Sequence, residues 1–439
     1  MRIQGARIVV AGMAKSGLAA VELLRQKGAR VSAVDSQDLP EVRAALSAKG
    51  VPLLPQTAQS FAGAEGIVLS PGVPTDLDEL KCARERGVPI IGEVELAGYY
   101  IKGLTIGITG SNGKTTTTAL TGHILRECAI ACQVGGNIGT PPTSMVASSR
   151  PGQWNVLELS SFQLETITEF QTYISVALNV TPDHLDRHHT FEEYVAAKAR
   201  LFETQGAGSY AVLNSDDTTC AGFAVKTIAQ PIWFSATREV ARGTCLLDGT
   251  LFSDGVAFMD VGEIPLPGRH NIENTLAAAA AARLTGAPLD GIRDAVRSFP
   301  GVEHRLEFVR EIDGVKYYND SKATNVDATM KAVDAFPGGL WLILGGKDKG
   351  SDYSPLAKPL HEKAKGVLLI GSAAPIIEVQ LKAAVRLTHS GTLDAALTYA
   401  RTHATPGDTV LLAPACASFD QFENYEHRGR VFKTLVGEL

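Results

Sequence analysis

The sequence predicts an α/β protein of three domains built on largely parallel sheets. Three observations carry that prediction. Short apolar runs alternate with amphipathic helical stretches along the whole chain, the rhythm of strands joined by crossover helices. Two of those runs end in glycine turns that open a helix, at Gly12 and at Gly110, as phosphate-binding sheets do. A length of 439 residues with 45% hydrophobic content buries a large core and normally divides into two or three domains.

Taken in order, the strand-like runs are Arg7 to Ala11, Val31 to Val34, Ile67 to Ser70, Thr105 to Thr109, Val156 to Glu158, Tyr173 to Leu178, Leu340 to Leu344, Val367 to Ile370 and Thr409 to Leu412. Such runs of four to six residues suit strands covered on both faces. Two joints interrupt the series. A helix-like EVELAGYYIKG separates the first strand-and-helix series from the next, and FPGV at residues 299–302 places Pro and Gly where helices stop. The expected domains are therefore 1–93, 94–298 and 299–439. The alanines from Ala277 to Ala282 suit a packed helix better than a linker.

Net charge is −6 with both signs interspersed, so no basic face points to nucleic acid and no polybasic run to a membrane. The N-terminal MRIQGARIVVAG runs straight into a strand without a signal core. Six scattered cysteines, Cys82, Cys128, Cys132, Cys220, Cys245 and Cys416, lack zinc-like spacing and read as buried thiols of a reducing cytoplasm.

The segment TGSNGKTT, from Thr109 to Thr116, reads as an ATP phosphate loop. Gly110, Ser111, Asn112 and Gly113 let backbone N–H groups approach phosphate oxygens, and the following helix N-terminus adds positive potential. Lys114 supplies a point charge, the Thr115 hydroxyl can ligate Mg2+, and Thr116 continues the turn. The first glycine is displaced, since Ile108 stands five residues before Gly113, which leaves a shortened G-x-x-G-K-T. At the N-terminus, Gly12, Met13, Ala14, Lys15, Ser16 and Gly17 follow a strand, and Asp35 ends the next one. This incomplete fingerprint allows NAD, another nucleotide diphosphate, or a packing turn without a ligand. Ser70, Pro71 and Gly72 end a later strand and can line the same crevice.

Downstream, Glu158 ends its strand where an acid reaches a nucleotide-bound Mg2+, although capping or solvation is the plainer role. The polar run from Asn179 to His189 follows another strand end, and its density favours a site around His184. His188 and His189, further along, read as solvated. Lys198 falls on the apolar face of a helix from Phe191 to Phe202, where a snorkelling lysine is the simple account.

Several motifs in order, TGSNGKTTTT, GGNIGT at Gly135 to Thr140, ELSSFQL at Glu158 to Leu164, NVTPDHLDRH, AAKARLF, GRHNIENTLAA, EHRLE and YNDSKATN, resemble the Mur ligases of peptidoglycan synthesis over essentially the whole chain. LLAPACASFDQFENYEHRG and the short Rossmann-like first domain are similar to the branch that adds D-glutamate to UDP-N-acetylmuramoyl-L-alanine. The shortened loop is that family's own pattern. The resemblance implies a Rossmann-like UDP-binding domain, a central P-loop ATPase domain and a Rossmann-like C-terminal domain that brings the amino acid. It further implies a cytoplasmic, monomeric, ATP-dependent amide ligase with two Mg2+ ions, acting through an acyl phosphate on small molecules, with no nucleic acid and no membrane as partner.

The same resemblance assigns roles residue by residue. Thr115, Glu158, His184 and a carbamylated Lys198 would hold metal, with Lys114 and Lys322 acting on the phosphates. Gly12, Met13, Ala14, Asp35, Ser36 and Gly72 would hold the UDP head, with Gln163 also on the uridine diphosphate and Asn137, Ser160 and His184 facing the muramoyl-alanine. Asn271 and Asn274 would touch adenine, and Arg305 and Asp320 the ribose. Thr324, Lys349, Ser418, Phe419 and Tyr425 would form the D-glutamate pocket. Gln37 stands where the family can carry a basic residue beside uracil.

Overall fold

The computed structural model describes residues 1–439, the side chain of Asp186 excepted, and divides into two compact units. The first comprises residues 1–263 and 272–297 and the second residues 264–271 and 298–439.

The first unit holds two sheets. One has the order Leu53–Pro55, Arg30–Asp35, Arg7–Ala11, Gly66–Leu69, Ile90–Gly92, all parallel. Chain order reverses at Arg7–Ala11, so the crevice beyond its C-terminal end, flanked by Gly66–Leu69, is the place where open sheets bind ligands. The other runs Val256–Asp260, Thr250–Ser253, Gly243–Leu247, Gln230–Ser235, Tyr210–Asn214, Ile174–Ala177, Leu104–Thr109, Trp154–Glu158, Cys132–Gly136. It is parallel except for the hairpins that add Thr250–Ser253 and Val256–Asp260 at one edge. Leu104–Thr109 lies between Trp154–Glu158 and Ile174–Ala177. The phosphate loop, Glu158 and the 179–184 segment therefore leave the same end of neighbouring strands.

The second unit is a sheet of order Glu307–Ile312, Val315–Asn319, Thr409–Leu412, Leu340–Gly345, Ala364–Ile370, Leu387–Gly391, antiparallel only in its first pair. Leu340–Gly345 is buried along its whole length, as its unbroken LWLILG predicts.

Every strand-like run read from the sequence is a strand, with ends shifted by at most three residues. The hairpins were not anticipated, although each has a sequence signal. Asp248-Gly249, Asp254-Gly255 and Asp313-Gly314 all take positive φ, the conformation that a two-residue primed turn demands. Ala277 to Ala282 are buried on helix Arg269–Leu284, where a methyl side chain permits close packing.

The joint helix Glu93–Gly98 is knit to the nine-stranded sheet's connections by two buried carboxylates. Glu95 accepts from the N–H groups of Thr168 (2.9 Å), Glu169 (3.0 Å) and Phe170 (3.0 Å) and from the Thr168 hydroxyl. Glu93 accepts from the N–H and hydroxyl of Thr143. Burial pushes the Glu93 carboxyl up to about 7. Among the described residues, no helix is long and apolar enough to cross a membrane. Cys220, Cys245 and Cys416 are buried as expected; Cys82 corrects that expectation, being exposed on the short helix Lys81–Glu85.

Candidate active site

The phosphate loop links strand Leu104–Thr109 to helix Lys114–Glu127. Gly113 caps the helix at φ 83°, and a Cβ there would lie 2.3 Å from the Asn274 Oδ1 atom. The left-handed backbone favours glycine here, and a larger residue would also displace the Asn274 side chain. The loop is tied to the neighbouring strand end. The Ser111 N–H donates to the Asn179 carbonyl (2.8 Å), the Asn112 N–H to the Asn179 side chain (2.8 Å), and the Ser111 hydroxyl to the Thr181 carbonyl (2.9 Å). The Tyr194 hydroxyl lies 2.9 Å from the Ser111 hydroxyl, and burial pushes its phenol up to about 12. Lys114 folds over the loop, donating to the carbonyls of Gly110 (2.8 Å) and Ser111 (2.9 Å). The helix N-terminus has no side-chain cap, which leaves its N–H groups available to an anion.

Two buried groups complete this end of the sheet. One Glu158 oxygen accepts from the Asn137 side chain (2.9 Å), while its Oε2 atom is buried without a hydrogen-bond partner. An orphaned carboxylate oxygen in a water-poor site is costly unless a cation or a donor arrives. Lys198 is not a snorkelling residue. Its side chain is 1% exposed, its Nζ donates to the Gly110 carbonyl (2.9 Å), and the ammonium lies over the Tyr194 ring. Burial, then the nearby Lys114 charge, hold its amine well below the ordinary lysine range.

His184 is half-exposed in a left-handed conformation (φ 53°), near Asp183 and packed on Phe162. Among the described residues, no three His, Cys, Asp or Glu side chains converge as a ready metal cage. The donors present nonetheless fit Mg2+. It takes oxygen ligands, and beside a nucleotide it is held by one or two protein oxygens together with phosphate; the orphaned Glu158 oxygen and the Thr115 hydroxyl are of that kind.

Of the residues expected on the UDP substrate, Ser160 and Gln163 serve one another in a capping box at helix Ser161–Leu164. At the other glycine turn, Asp35 accepts from the N–H groups of Met13 (2.5 Å) and Gln37 (2.9 Å). Ser70 donates to the Gly12 carbonyl, and a Cβ at Gly17 would meet that same carbonyl at 1.8 Å, so the turn closes tightly on its helix. Helix Lys15–Gln26 starts without a side-chain cap. A cavity of about 510 Å³ opens at the end of strand Arg30–Asp35, lined by Asp35, Ser36, Gln37, Asp38, Arg43 and Leu53 to Gln56. It can admit a flat base, with the helix N-terminus offered to a diphosphate.

In the second unit, Asp320 is buried and its carboxyl pushed up to about 7 by that burial, against the pull of Arg305. Lys322 lies over the Tyr425 ring, and Lys349 reaches the Thr324 carbonyl (3.4 Å). Ser418 is buried and Phe419 is 66% exposed. Asn271 is buried, its side chain donating to the Pro267 carbonyl (2.6 Å).

His188 corrects the sequence reading. It is 4% exposed, 2.9 Å from the Ser161 hydroxyl, 3.3 Å from Glu165, and stacked on Phe162. Helix Leu185–His188 turns it inward while its neighbour His189 stays exposed. Sequence reasoning also passed over Arg428, fully buried and donating to the Ser321 hydroxyl and carbonyl and to the carbonyls of Cys416 and Ala417. Its setting in EHRGR, among charged residues, carried no signal of burial.

An uncapped helix after a glycine turn, with a lysine at its first position and an orphaned carboxylate on the next strand, defines a nucleotide-dependent α/β protein of the phosphate-loop class. Residues 6–92 match the Mur ligase MurD-like N-terminal domain, 108–282 the Mur ligase middle domain, and 304–416 the Mur ligase glutamate ligase domain. The chain belongs to the Mur ligase family. It is 60% identical over its full length to a protein of Solibacter usitatus, of which 99% is covered, and 52% identical over 99% of its length to one of Acidobacterium capsulatum, of which 97% is covered; both are named UDP-N-acetylmuramoylalanine--D-glutamate ligase. Its fold matches UDP-N-acetylmuramate-alanine ligase MurC of Thermotoga maritima (TM-score 0.62, 18% identity, 99% of each chain) and the MurF ligase of that organism in complex with ADP (TM-score 0.62, 17% identity, 100% of this chain and 96% of that one).

Proposed function

We propose that this chain joins D-glutamate to UDP-N-acetylmuramoyl-L-alanine at the expense of ATP, through an acyl phosphate, in the cytoplasm and as a monomer. The observation that carries the choice of substrates is the end-to-end identity with proteins named for that reaction. In the first step an oxygen of the alanyl carboxylate attacks the γ-phosphorus and the bond to the β–γ bridging oxygen breaks, leaving ADP. The amine of D-glutamate then attacks the acyl carbon, the bond to phosphate breaks, and the amine loses its proton as the amide forms.

Lys114, released from the loop carbonyls it now binds, is suited to follow the charge on the transferring phosphoryl group. The Thr115 hydroxyl, Glu158 and His184 would hold Mg2+, two ions being proposed, and Mg2+ supplies charge neutralisation at the phosphate oxygens when bound. Lys198 is suited to carbamylation. Its depressed basicity favours the neutral amine, whose nitrogen can attack CO2 and release a proton, so that a cation becomes an anionic oxygen ligand. Asn274 beside Gly113 supports a role for that helix at the nucleotide, with Asn271, Arg305, Asp320 and Lys322 assigned to the rest of ATP. The Gly12 turn and the cavity at Asp35, Ser36 and Gln37 support UDP binding by residues 1–93, with 94–298 as the ATPase domain and 299–439 carrying the amino-acid pocket of Thr324, Lys349, Ser418, Phe419 and Tyr425.

Phosphate release with ATP and UDP-N-acetylmuramoyl-L-alanine tests the reading. Release dependent on D-glutamate is expected; release with L-alanine or diaminopimelate and not with D-glutamate would refute the acceptor assignment.

A further inference from the structure

Tyr353 is fully buried, yet its hydroxyl sits in a polar node that no step above uses. It donates to Asp348 (2.7 Å) and lies 3.0 Å from the Cys416 sulfur. With the phenol proton committed to the carboxylate, its oxygen accepts from the thiol. Asp348 also accepts from the N–H groups of Gly350 (2.9 Å) and Ser351 (3.4 Å), so the turn that bears Lys349 is wound around that one carboxylate. The Tyr353 hydrogen bond, ahead of the Gly350 amide, holds the Asp348 carboxyl below its ordinary range. Beside the node, the Lys347 N–H donates to the Ala417 carbonyl (2.8 Å), and Arg428 braces the carbonyls of Cys416 and Ala417 from behind. One hydroxyl therefore links the turn of Lys349 to the segment of Ser418 and Phe419, both within the second unit.

We propose that Tyr353 is a positioning residue that fixes the spacing between Lys349 and Ser418, and so sets affinity and selectivity for the dicarboxylate acceptor while leaving phosphoryl transfer untouched. Being buried, it does not itself touch substrate. An acceptor with two carboxylates needs a cation and a hydroxyl donor at a set separation, and a hydrogen bond from a buried phenol to an ionised carboxylate is among the stronger neutral-to-charged contacts available to set one. The proposal rests on the amino-acid pocket assigned above.

Tyr353→Phe removes only the oxygen. Steady-state kinetics should show the KM for D-glutamate raised roughly tenfold, equivalent to about 1.4 kcal/mol, with kcat and the KM values for ATP and the UDP substrate within twofold of the parent. Discrimination against D-aspartate should narrow. Asp348→Asn removes the charge that the Tyr353 hydroxyl binds and should raise the same KM, and the double variant should do no worse than the worse single one, since both weaken that shared contact. Should Tyr353→Phe fold poorly by thermal unfolding, Cys416→Ala and Asp348→Asn carry the test. An unchanged acceptor KM in folded variants, or a fall in kcat with all KM values unchanged, would overturn the proposal. A parent enzyme that releases no phosphate with D-glutamate would instead overturn the reading of function, and this proposal with it.

Discussion

Glu158 and Lys198 meet the phosphate loop with opposite problems. The acid has an oxygen with nothing to bind, and the amine has no room for its charge. A metal would resolve the first problem and a carbamate the second, as proposed above. Lys198→Ala should therefore abolish phosphate release, and a short-chain carboxylic acid diffusing into the space should restore part of it. Steady-state rates with and without acetate check this, and an unchanged rate in the variant would remove the carbamate from the account. The sequence made the loop legible because its function lies in its backbone: Gly110, Gly113 and Lys114 are what a phosphate demands. It could not show that Lys198 is buried, since an apolar helical face accepts a snorkelling lysine equally well. Nor could it place His188, whose direction depends on a single turn between His184 and His189.

Elements positioned these groups, and two of them yield predictions of their own. Gly113→Ala forces a methyl group against Asn274 in a left-handed conformation. It should cost about 1–3 kcal/mol in thermal unfolding and raise the KM for ATP. In helix Glu93–Gly98, the Glu93 carboxyl is raised from 4.5 to about 7. A folded state that holds its proton more tightly than the unfolded chain loses stability as pH rises between those values, by up to about 1.4 kcal/mol per pH unit, and no further above pH 7. Glu93→Gln should flatten that part of the stability profile measured by denaturant unfolding; an unaltered slope would contradict the burial account. Neither buried acid was legible, because EVELAG reads as an ordinary amphipathic helix. The three Asp-Gly hairpins carry a turn signal in the sequence, but the strands they join are short edge additions to sheets whose dominant pattern is parallel.

Across the whole molecule, each sheet places a loop assigned a role above at a strand end: Gly12 beyond Arg7–Ala11, the phosphate loop beyond Leu104–Thr109, and the Asp348 turn beyond Leu340–Gly345. The α/β class followed from periodicity alone. The reaction did not, because a phosphate loop serves kinases, GTPases and ligases alike, and it is the family match and the end-to-end identity with named relatives that separate them. The central claim is that a substrate carboxylate, and not water, receives the γ-phosphate. With UDP-N-acetylmuramoyl-L-alanine labelled with 18O in its alanyl carboxylate, the phosphate released on D-glutamate addition should carry one labelled oxygen per turnover. Phosphate free of the label, formed at the rate of the amide, would contradict the acyl phosphate and the mechanism built on it.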